Sequence, residues 1–310
     1  MSKKVQIGKT ELLVHPIGLG TNAVGGHNIF PNLKDETGKE IVRQALQQEI
    51  NFIDTAYMYG PERSEILIGE VLKETGQRSN VVLATKGAHK YVNDKIEIDN
   101  SPKFLRETVE NSLRRLQTDY IDLYYIHFPD EQTPKYEAVG ELQRLKEEGK
   151  IRSIGVSNFS IEQLKEGNKD GYIEVIQSGY NLFKREVEKD LLPYSLENNI
   201  SFIPYFPLAS GLLTGKFTPS STFEDGRAKN PMFQGESFIQ NLKKVDELKE
   251  IASNKDVAVS NLVLAWYLNQ EAIDVVIPGA KKPEQVLENK KTLDIELSKE
   301  EIEKISNIFS

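Results

Sequence analysis

Four residues whose side chains can hold, move or orient a proton lie at related places in the sequence. Asp54, Lys86 and His127 each stand at the end of a short apolar run, and Tyr59 lies five residues after Asp54. An ammonium beside a tyrosine favours the phenolate and lowers its pKa from about 10, while a carboxylate keeps that lysine charged. A neighbouring histidine can then orient a substrate oxygen. This combination indicates general acid catalysis at a polar substrate atom.

Each of these residues also has an ordinary structural explanation. Asp54 could cap a helix, Tyr59 could belong to a turn before Gly60-Pro61, Lys86 could be a solvated loop lysine, and His127 could be a satisfied core histidine. These separate explanations give no reason why neighbouring apolar runs end in an acid, a lysine and a histidine. The four together therefore favour a catalytic site.

Composition excludes several other kinds of chemistry. The chain has no cysteine, which excludes disulfides, thiol catalysis, iron–sulfur clusters and cysteine-ligated zinc. Its four histidines are scattered, so we expect no metal site, and any redox chemistry needs a bound organic cofactor. The net charge of −8 disfavours nucleic acid as a partner. No apolar run is long enough for a bilayer, and Met1-Ser2-Lys3-Lys4 opens no signal peptide; we expect a cytoplasmic protein without a membrane partner.

Short apolar runs alternate with longer amphipathic segments along the whole chain, which is typical of a parallel sheet built from βα units. The predicted strands are Ile17–Leu19, Phe52–Asp54, Val81–Thr85, Ile121–Ile126, Ile154–Val156, Val175–Gln177, Phe202–Tyr205 and Val275–Ile277. The predicted helices are Thr37–Gln48, Arg63–Glu74, Lys103–Leu116, Lys135–Glu148, Ile161–Asn168 and Ser260–Asn269. This pattern predicts an α/β fold in which residues 1–310 form a single (β/α)8 TIM barrel domain, with an N-terminal β-hairpin (Val5–Ile7 with Leu12–Val14) and a C-terminal helix (Ser298–Ile308).

An open dinucleotide-binding sheet is the alternative fold. Gly18–Ala23 matches its GxGxxA fingerprint after a strand. That fingerprint needs a helix to begin at once, whereas Gly25, Gly26 and Pro31 interrupt the residues that follow. The barrel is therefore favoured, and its active site is expected where the strands end. The long segment Thr218–Gly235 is predicted to be a lid, a binding loop or disordered.

The motifs around these residues resemble one known family. Asp54-xxxx-Tyr59, Lys86 after Leu83-Ala84-Thr85 and His127 after Asp122–Ile126 are similar to the Asp/Tyr/Lys/His tetrad of the aldo-keto reductases, which are (β/α)8 barrels using NADPH. The resemblance extends through Gly149–Phe159, Ile203–Leu208, Ile277–Lys281 and Glu288-Asn289. Gly20–Gly26 and Phe128–Asp130 are similar to the bacterial inositol-utilisation reductase S subgroup.

The resemblance implies roles for the catalytic residues and a cofactor, NADPH or NADP+. Tyr59 would protonate the carbonyl oxygen of the substrate as hydride arrives at its carbon. Lys86, paired with Asp54, would adjust the pKa of Tyr59, and His127 would position the carbonyl. The cofactor-binding residues implied by the family pattern are Gly20, Thr21, Asn22, Asp54, Ser157, Asn158, Gln177, Tyr205, Phe206, Pro207, Leu208, Ser210, Gly211, Lys216, Gly279, Lys281, Gln285 and Asn289.

Within that set the implied contacts differ. Ser157, Asn158 and Gln177 would bind the nicotinamide carboxamide, and Tyr205 would stack on the nicotinamide ring. Gln285 and Asn289 would face the adenine. Lys281 would attract the adenosine 2′-phosphate, but many family members carry arginine there. A lysine lacks the bidentate fork, which leaves the preference for NADPH over NADH open.

The expected substrate pocket is small. Its predicted walls are Tyr57, His89 and Phe128, with Phe30 and the loop from Gly87 to Asn100. Relatives that reduce bulky substrates often carry a tryptophan shortly after the lysine, whereas the single tryptophan here is Trp266. We expect a small aldehyde, ketone or sugar-like carbonyl substrate.

Two other functions remain open at this stage. One is an NADPH-binding regulator or sensor similar to potassium-channel β subunits, which resemble this family. The other is a barrel aldolase or isomerase using Lys86 as a Schiff-base nucleophile. A monomer is expected, with an oligomer not excluded.

Overall fold

The computed structural model of this protein describes residues 4–93 and 95–310. Expectations about Met1–Lys3 and Asp94 lie outside the described residues. The strands are β1 Val5–Gln6, β2 Leu13–Val14, β3 Leu19–Gly20, β4 Phe52–Asp54, β5 Val82–Gly87, β6 His89–Val92, β7 Lys95–Ile98, β8 Ile121–Ile126, β9 Ile151–Ser157, β10 Val175–Gly179 and β11 Ser201–Tyr205. The α-helices are α1 Asp35–Gln47, α2 Arg63–Thr75, α3 Pro102–Leu116, α4 Lys135–Glu147, α5 Ile161–Gly167, α6 Leu191–Glu197, α7 Gly235–Asn254, α8 Val259–Tyr267, α9 Pro283–Lys290 and α10 Lys299–Ile308.

Seven parallel strands form a curled sheet in the order β11-β10-β9-β8-β5-β4-β3. The predicted eighth strand, Val275–Ile277, is present only as two isolated parallel bridges, Ile17 to Val276 and Gly20 to Gly279. The Gly18 N–H donates to the Val276 carbonyl at 2.8 Å, and on the other side the Phe202 N–H donates to the Ala272 carbonyl at 2.8 Å. Pro278 has no N–H to give, which limits how far a regular ladder can run here. The (β/α)8 prediction is confirmed. The barrel closes through a short seam, which is the pairing of Ile17 with Val276 and of Gly20 with Gly279.

The N-terminal hairpin closes one end of the barrel. Strands β1 and β2 pair antiparallel, as predicted, and Ile7, Leu12 and Val14 are buried against strand residues that face the barrel interior, among them Val82 and Leu123. The other side of the sheet packs on the helices in a separate, larger apolar cluster. Burial on both faces explains why the strands are almost continuously apolar. The polar strand ends are left at the opposite mouth of the barrel.

Most predicted helices are confirmed to within about two residues at each end, as boundaries usually are. Ser101 accepts from the Phe104 N–H in front of Pro102, and Ser160 forms a capping box with Gln163, so the expected caps are present. No helix begins between Gly20 and Asp35, which excludes the open dinucleotide fold. None of the helices in the described ranges has the length and apolarity needed to cross a membrane.

The sequence analysis did not predict helices α6 and α7 or one hairpin. Helix α7 nevertheless has twenty residues and buries Leu242, Val245 and Leu248. The hairpin β6–β7 lies within the loop predicted from Gly87 to Asn100 and pairs His89 with Ile98. The connection Thr218–Gly235 contains short 3₁₀ turns, and Phe223 and Phe233 pack with Phe217 in an aromatic cluster.

Candidate active site

The sheet register brings the four predicted catalytic side chains to one mouth of the barrel. Asp54 at the end of β4 pairs with Ala84 of β5, and Lys86 of β5 pairs with Tyr125 of β8. The His127 N–H, directly after β8, donates to the Gly87 carbonyl at 2.8 Å. Parallel strands end at the same face, so the predicted convergence follows from the topology.

Lys86 and Asp54 form a buried ion pair at the centre of the site. The Lys86 Nζ donates to Asp54 Oδ1 at 2.5 Å and to the Thr55 carbonyl at 2.8 Å, and the lysine side chain is fully buried. Burial by itself lowers the pKa of Lys86, but the Asp54 carboxylate and Tyr59 outweigh it and raise that pKa above its ordinary value. A protonated amine cannot attack a carbonyl, so this geometry gives no support to a Schiff-base lysine.

Gln177 supports the same carboxylate from β10. Its Nε2 donates to Asp54 Oδ2 at 2.9 Å, and the residue is buried. The contact of Gln177 with the nicotinamide carboxamide stays a prediction; in this structure its amide nitrogen holds Asp54. Both carboxylate oxygens therefore accept hydrogen bonds, as a buried anion requires.

Tyr59 lies over the ion pair and beside the histidine. The Lys86 Nζ is 5.3 Å from the centroid of the Tyr59 ring, and the Tyr59 and His127 ring centroids are 6.5 Å apart, edge to face. Burial raises the pKa of Tyr59, and the opposing effect of Lys86 is smaller. The expectation of a lowered Tyr59 pKa is therefore wrong for this structure, because desolvation exceeds the ammonium's attraction. Near pH 7 the hydroxyl keeps its proton, as a general acid needs.

His127 is neutral and in contact with two of the predicted pocket walls. Burial, with smaller contributions from Lys86 and His89, holds the pKa of His127 well below its ordinary value. Its ring centroid is 4.8 Å from that of His89 and 5.1 Å from that of Phe128. His89 and Phe128 thus lie beside His127, and their role as walls of the substrate pocket stays a prediction.

The other two predicted walls face other partners. The Tyr57 N–H donates to the Lys86 carbonyl at 3.1 Å, which places the backbone at the site, but its ring lies 5.3 Å from the Arg115 guanidinium. Phe30 lies under Lys281, with Nζ 4.0 Å from its ring centroid. Phe30 therefore belongs to the same region as the predicted phosphate-binding lysine.

The barrel seam carries the first group of predicted cofactor residues. A Cβ on Gly20 would meet the Ile277 carbonyl oxygen at 2.7 Å, and one on Gly279 would meet Asn22 Oδ1 at 3.1 Å, so both positions require close backbone approach. Thr21 is fully buried, and its N–H and hydroxyl both donate to the Asp54 carbonyl, at 3.0 and 2.9 Å. The Thr21 side chain is therefore engaged within the protein and fixes the backbone around Asp54.

A second group meets at the ends of β9, β10 and β11. Asn158 has a left-handed φ of 61°. Its Nδ2 donates to the His127 carbonyl and to Ser157 Oγ at 3.0 Å each, and its Oδ1 accepts from the Tyr205 hydroxyl at 2.8 Å. The Tyr205 ring lies against Gly179, whose added Cβ would approach it at 3.2 Å. This network fixes a half-exposed aromatic face at the mouth, suited to stacking on a flat ring.

The loop after β11 is bent into an unusual backbone path. Phe206, Ala209 and Ser210 have φ of 52°, 46° and 55°, and Gly211 has φ of 93°. Pro207 is buried and Leu208 half-buried between them. Left-handed φ values cost free energy for residues with a Cβ and concentrate at ligand-binding segments. The predicted cofactor residues of this loop share that strained segment.

Three cations line the outer side of this loop. Burial, followed by repulsion from Arg227, lowers the pKa of both Lys216 and Lys281. Neither lysine has a carboxylate partner within the described ranges, whereas Arg227 pairs with Asp225. Exposed ammonium groups that have no ion-pair partner in the described part of the chain fit the phosphates of a dinucleotide. The Gln285 side-chain oxygen accepts from the Lys281 N–H at 2.7 Å, and Asn289 follows one turn along α9.

Arg227 is the residue that sequence reasoning missed. It lies in the connection predicted as a possible binding loop, and its guanidinium lies 4.8 Å from the Phe223 ring centroid. Its place is revealed by its repulsion of the two neighbouring ammonium groups, Lys216 and Lys281. Across the described ranges, no group of three His, Asp or Glu side chains is arranged to hold a metal ion.

A closed parallel barrel with a buried lysine and carboxylate and a half-buried tyrosine and histidine at its carboxyl mouth belongs to the class of barrel oxidoreductases. The chain is a member of the aldo/keto reductase family, which matches residues 16–309. It is therefore an NAD(P)-dependent oxidoreductase acting on carbonyl or alcohol groups.

The most informative relatives differ in their named activities. The aldo-keto reductase YhdN of Bacillus subtilis is 42% identical over 283 residues, covering 90% of this chain and 85% of the relative. The NADH-specific methylglyoxal reductase of Escherichia coli is 35% identical over 310 residues, covering 96% and 95%. The glycerol dehydrogenase structure from Gluconobacter oxydans superposes with a TM-score of 0.91 at 36% identity, covering 99% and 95%.

Proposed function

We propose that this protein is an NADPH-dependent reductase of small aldehydes, ketones or sugar-like carbonyls, with Tyr59 as its general acid. The observation that carries the proposal is the placement of the protonated Tyr59 over Lys86 and beside His127. A half-buried acid next to a fixed cation can release its proton as negative charge develops on a substrate oxygen.

In the proposed carbonyl reduction, each of these residues has a separate role. When bound, the nicotinamide cofactor supplies the hydride for the carbonyl carbon. The Tyr59 hydroxyl donates its proton to the carbonyl oxygen, and the Lys86 ammonium, held by Asp54, stabilises the tyrosinate left behind. The neutral His127 imidazole donates a hydrogen bond that orients the carbonyl oxygen. Positioned proton transfer of this kind contributes about 10²- to 10⁴-fold in rate.

The preference for NADPH is proposed from the charges beside the loop after β11. Lys216, Lys281 and Arg227 concentrate positive charge next to Gln285 and Asn289, where the resemblance expects the adenosine end. The relative named an NADH-specific reductase shows that cofactor choice varies among similar chains. The Arg227 guanidinium already holds both oxygens of Asp225, so the proposed preference for NADPH rests on Lys216 and Lys281.

The proposed substrate is small and oxygen-rich. Two of the relatives are named for methylglyoxal and for glycerol, both short molecules with oxygens on neighbouring carbons. An inositol-derived ketone, suggested by the subgroup resemblance, belongs in the same test. A monomeric single barrel domain acting in the cytoplasm stays a prediction, which size-exclusion chromatography and cell fractionation check.

The test compares the wild type with Tyr59→Phe over a panel of small aldehydes, dicarbonyls, hydroxyketones and inososes, followed by loss of reduced-nicotinamide absorbance. We expect Tyr59→Phe to lose about a hundredfold or more in kcat while binding NADPH as before. Tyr172→Phe, an exposed tyrosine before β10 at the opposite end, is the matched control.

Two results would contradict the proposal. Retention of full activity by Tyr59→Phe would remove the tyrosine from the mechanism. Tight NADPH binding by both proteins with no carbonyl reduced would favour the regulatory function instead.

A further inference from the structure

The backbone after Lys86 is strained in a way that directs one side chain into the site. Ala88 is fully buried and has φ of 145°, a conformation that residues with a Cβ rarely adopt. The Asp99 N–H fixes it by donating to the Ala88 carbonyl at 2.8 Å. Gly87 leaves no room for a side chain, because a Cβ there would lie 2.1 Å from the Tyr124 hydroxyl. These constraints place His89 over the end of β8, and such strain concentrates at functional sites.

The imidazole placed there has polar capacity that the protein does not use. His89 is only 8% exposed, and its Nδ1 has no hydrogen-bond partner in the part of the chain that the structure describes. Its neighbours are the His127 ring at 4.8 Å and the Phe128 ring at 5.5 Å between centroids, both edge to face. A buried polar atom without a partner is rare in native structures, and a ligand is one ordinary explanation.

The charge state of His89 limits what that ligand can be. Burial lowers the pKa of His89 to about 4, so the ring is neutral near pH 7. A neutral imidazole donates one hydrogen bond and accepts another, which matches a hydroxyl group. It carries no charge near pH 7, so the carboxylate of a 2-oxo acid forms no ion pair with it.

We propose that His89 selects substrates with a hydroxyl on the carbon next to the carbonyl, by hydrogen bonding that hydroxyl while His127 holds the carbonyl oxygen. Two adjacent imidazoles facing one mouth can reach oxygens on adjacent carbons. The inference rests on the proposed carbonyl reduction and names the substrate class of that site.

The test uses pairs of substrates that differ by one hydroxyl in place of one methyl group. Hydroxyacetone is compared with butanone, and glycolaldehyde with propanal, as kcat/KM with NADPH for the wild type, His89→Phe and His89→Gln. The ratio within a pair, compared between proteins, cancels the intrinsic reactivity of each carbonyl. Phe keeps a ring against His127 and Phe128, and Gln keeps a donor and an acceptor.

We expect His89→Phe to lower the preference for the hydroxylated member by about threefold to tenfold, the equivalent of one neutral hydrogen bond. The loss should fall mainly on the hydroxylated substrate, and His89→Gln should retain a measurable part of the preference. NADPH affinity and the thermal midpoint, measured in parallel, verify that both variants are folded.

Three results overturn the inference. An unchanged ratio in His89→Phe, or an equal loss for both members of a pair, would show that His89 only packs. A His89→Gln ratio equal to that of His89→Phe would rule out the hydrogen bond. If the wild type reduces none of the four carbonyls, the proposed function itself fails, which is a distinct outcome.

Discussion

Replacing Asp54 by asparagine tests the buried ion pair at the centre of the site. Asp54 accepts from the Lys86 Nζ at 2.5 Å and from the Gln177 Nε2 at 2.9 Å, so both of its partners are donors. An asparagine keeps the shape but has one acceptor oxygen and one donor nitrogen. One partner therefore loses its acceptor, and Lys86 keeps a buried charge without a counter-ion.

The expected cost of Asp54→Asn is about 3–5 kcal/mol of unfolding free energy at pH 7, the usual loss when one member of a buried pair is removed. The Lys86 and Asp54 side chains are 0% and 2% exposed, so solvent screening does not reduce this. Removing both charges in Asp54→Asn/Lys86→Met leaves no isolated ion. We expect the double variant to be more stable than the sum of the single losses implies, by about 1–3 kcal/mol.

The loss of stability caused by Asp54→Asn should become smaller as pH rises. In the wild type the pKa of Lys86 is raised, so its contribution is fully present below its unfolded pKa of about 10.4 and is lost only above that. In Asp54→Asn, burial acts without the carboxylate and lowers the folded pKa, so the variant gains stability as pH rises toward 10. The difference between the two proteins should therefore shrink between pH 7 and pH ~10.

Urea unfolding followed by Trp266 fluorescence measures these differences. Trp266 is the single tryptophan, is 1% exposed and lies 5.1 Å from the Tyr267 ring, so its emission changes on unfolding. Far-UV circular dichroism checks that the same transition is observed. A loss under about 1 kcal/mol for Asp54→Asn, or strictly additive single losses, would refute the reasoning.

Three further predictions concern the cofactor, acid stability and the seam. Lys281→Met should weaken NADPH binding about tenfold and leave NADH binding unchanged, as titrations with each nucleotide would show; equal weakening of both would remove the lysine from 2′-phosphate recognition. The pKa of His89 is about 4 in the folded protein, so as pH falls below about 6.5 the unfolded chain binds a proton before the folded protein does, and the folded protein loses stability between pH 6.5 and 4. His89→Phe should reduce this loss of stability, measured as the fall in melting temperature at acid pH. Gly20→Ala should lower the melting temperature, since its Cβ would meet the Ile277 carbonyl at 2.7 Å, whereas Gly140→Ala in helix α4, with open space around it, should stabilise by about 0.5–1 kcal/mol.

The sequence was sufficient to predict what local chemistry and topology determine together. Asp54, Lys86 and His127 end three strands that are adjacent in the sheet, so counting apolar runs was enough to bring them to one mouth. Serine caps such as Ser160 mark helix starts through hydrogen bonds to nearby residues, which the order of residues already reveals.

Features that depend on packing between distant segments could not be predicted. The direction of the Tyr59 pKa shift depends on how deeply the ring is buried, which spacing does not show. Arg227 gains its role only when the connection folds beside Lys216 and Lys281. The eighth strand is a pair of bridges to Ile17 and Gly20, at the opposite end of the chain, and Pro278 within it has no N–H to donate.

The two bridges of the seam, Ile17 to Val276 and Gly20 to Gly279, have a consequence for how the protein responds to its surroundings. The barrel is joined there by only two bridges, where the proposed dinucleotide would contact both edges, Gly20 on one side and Gly279 on the other. A ligand that binds both edges raises the free energy of unfolding by about 2.7 kcal/mol when it is present at a hundred times its dissociation constant. Hydrogen exchange at the backbone amides of Gly18, Gly20 and Val276 should slow as more of the protein binds the nucleotide. The lifetime of the closed barrel, and its resistance to proteases, would then follow the concentration of the nicotinamide nucleotide around it.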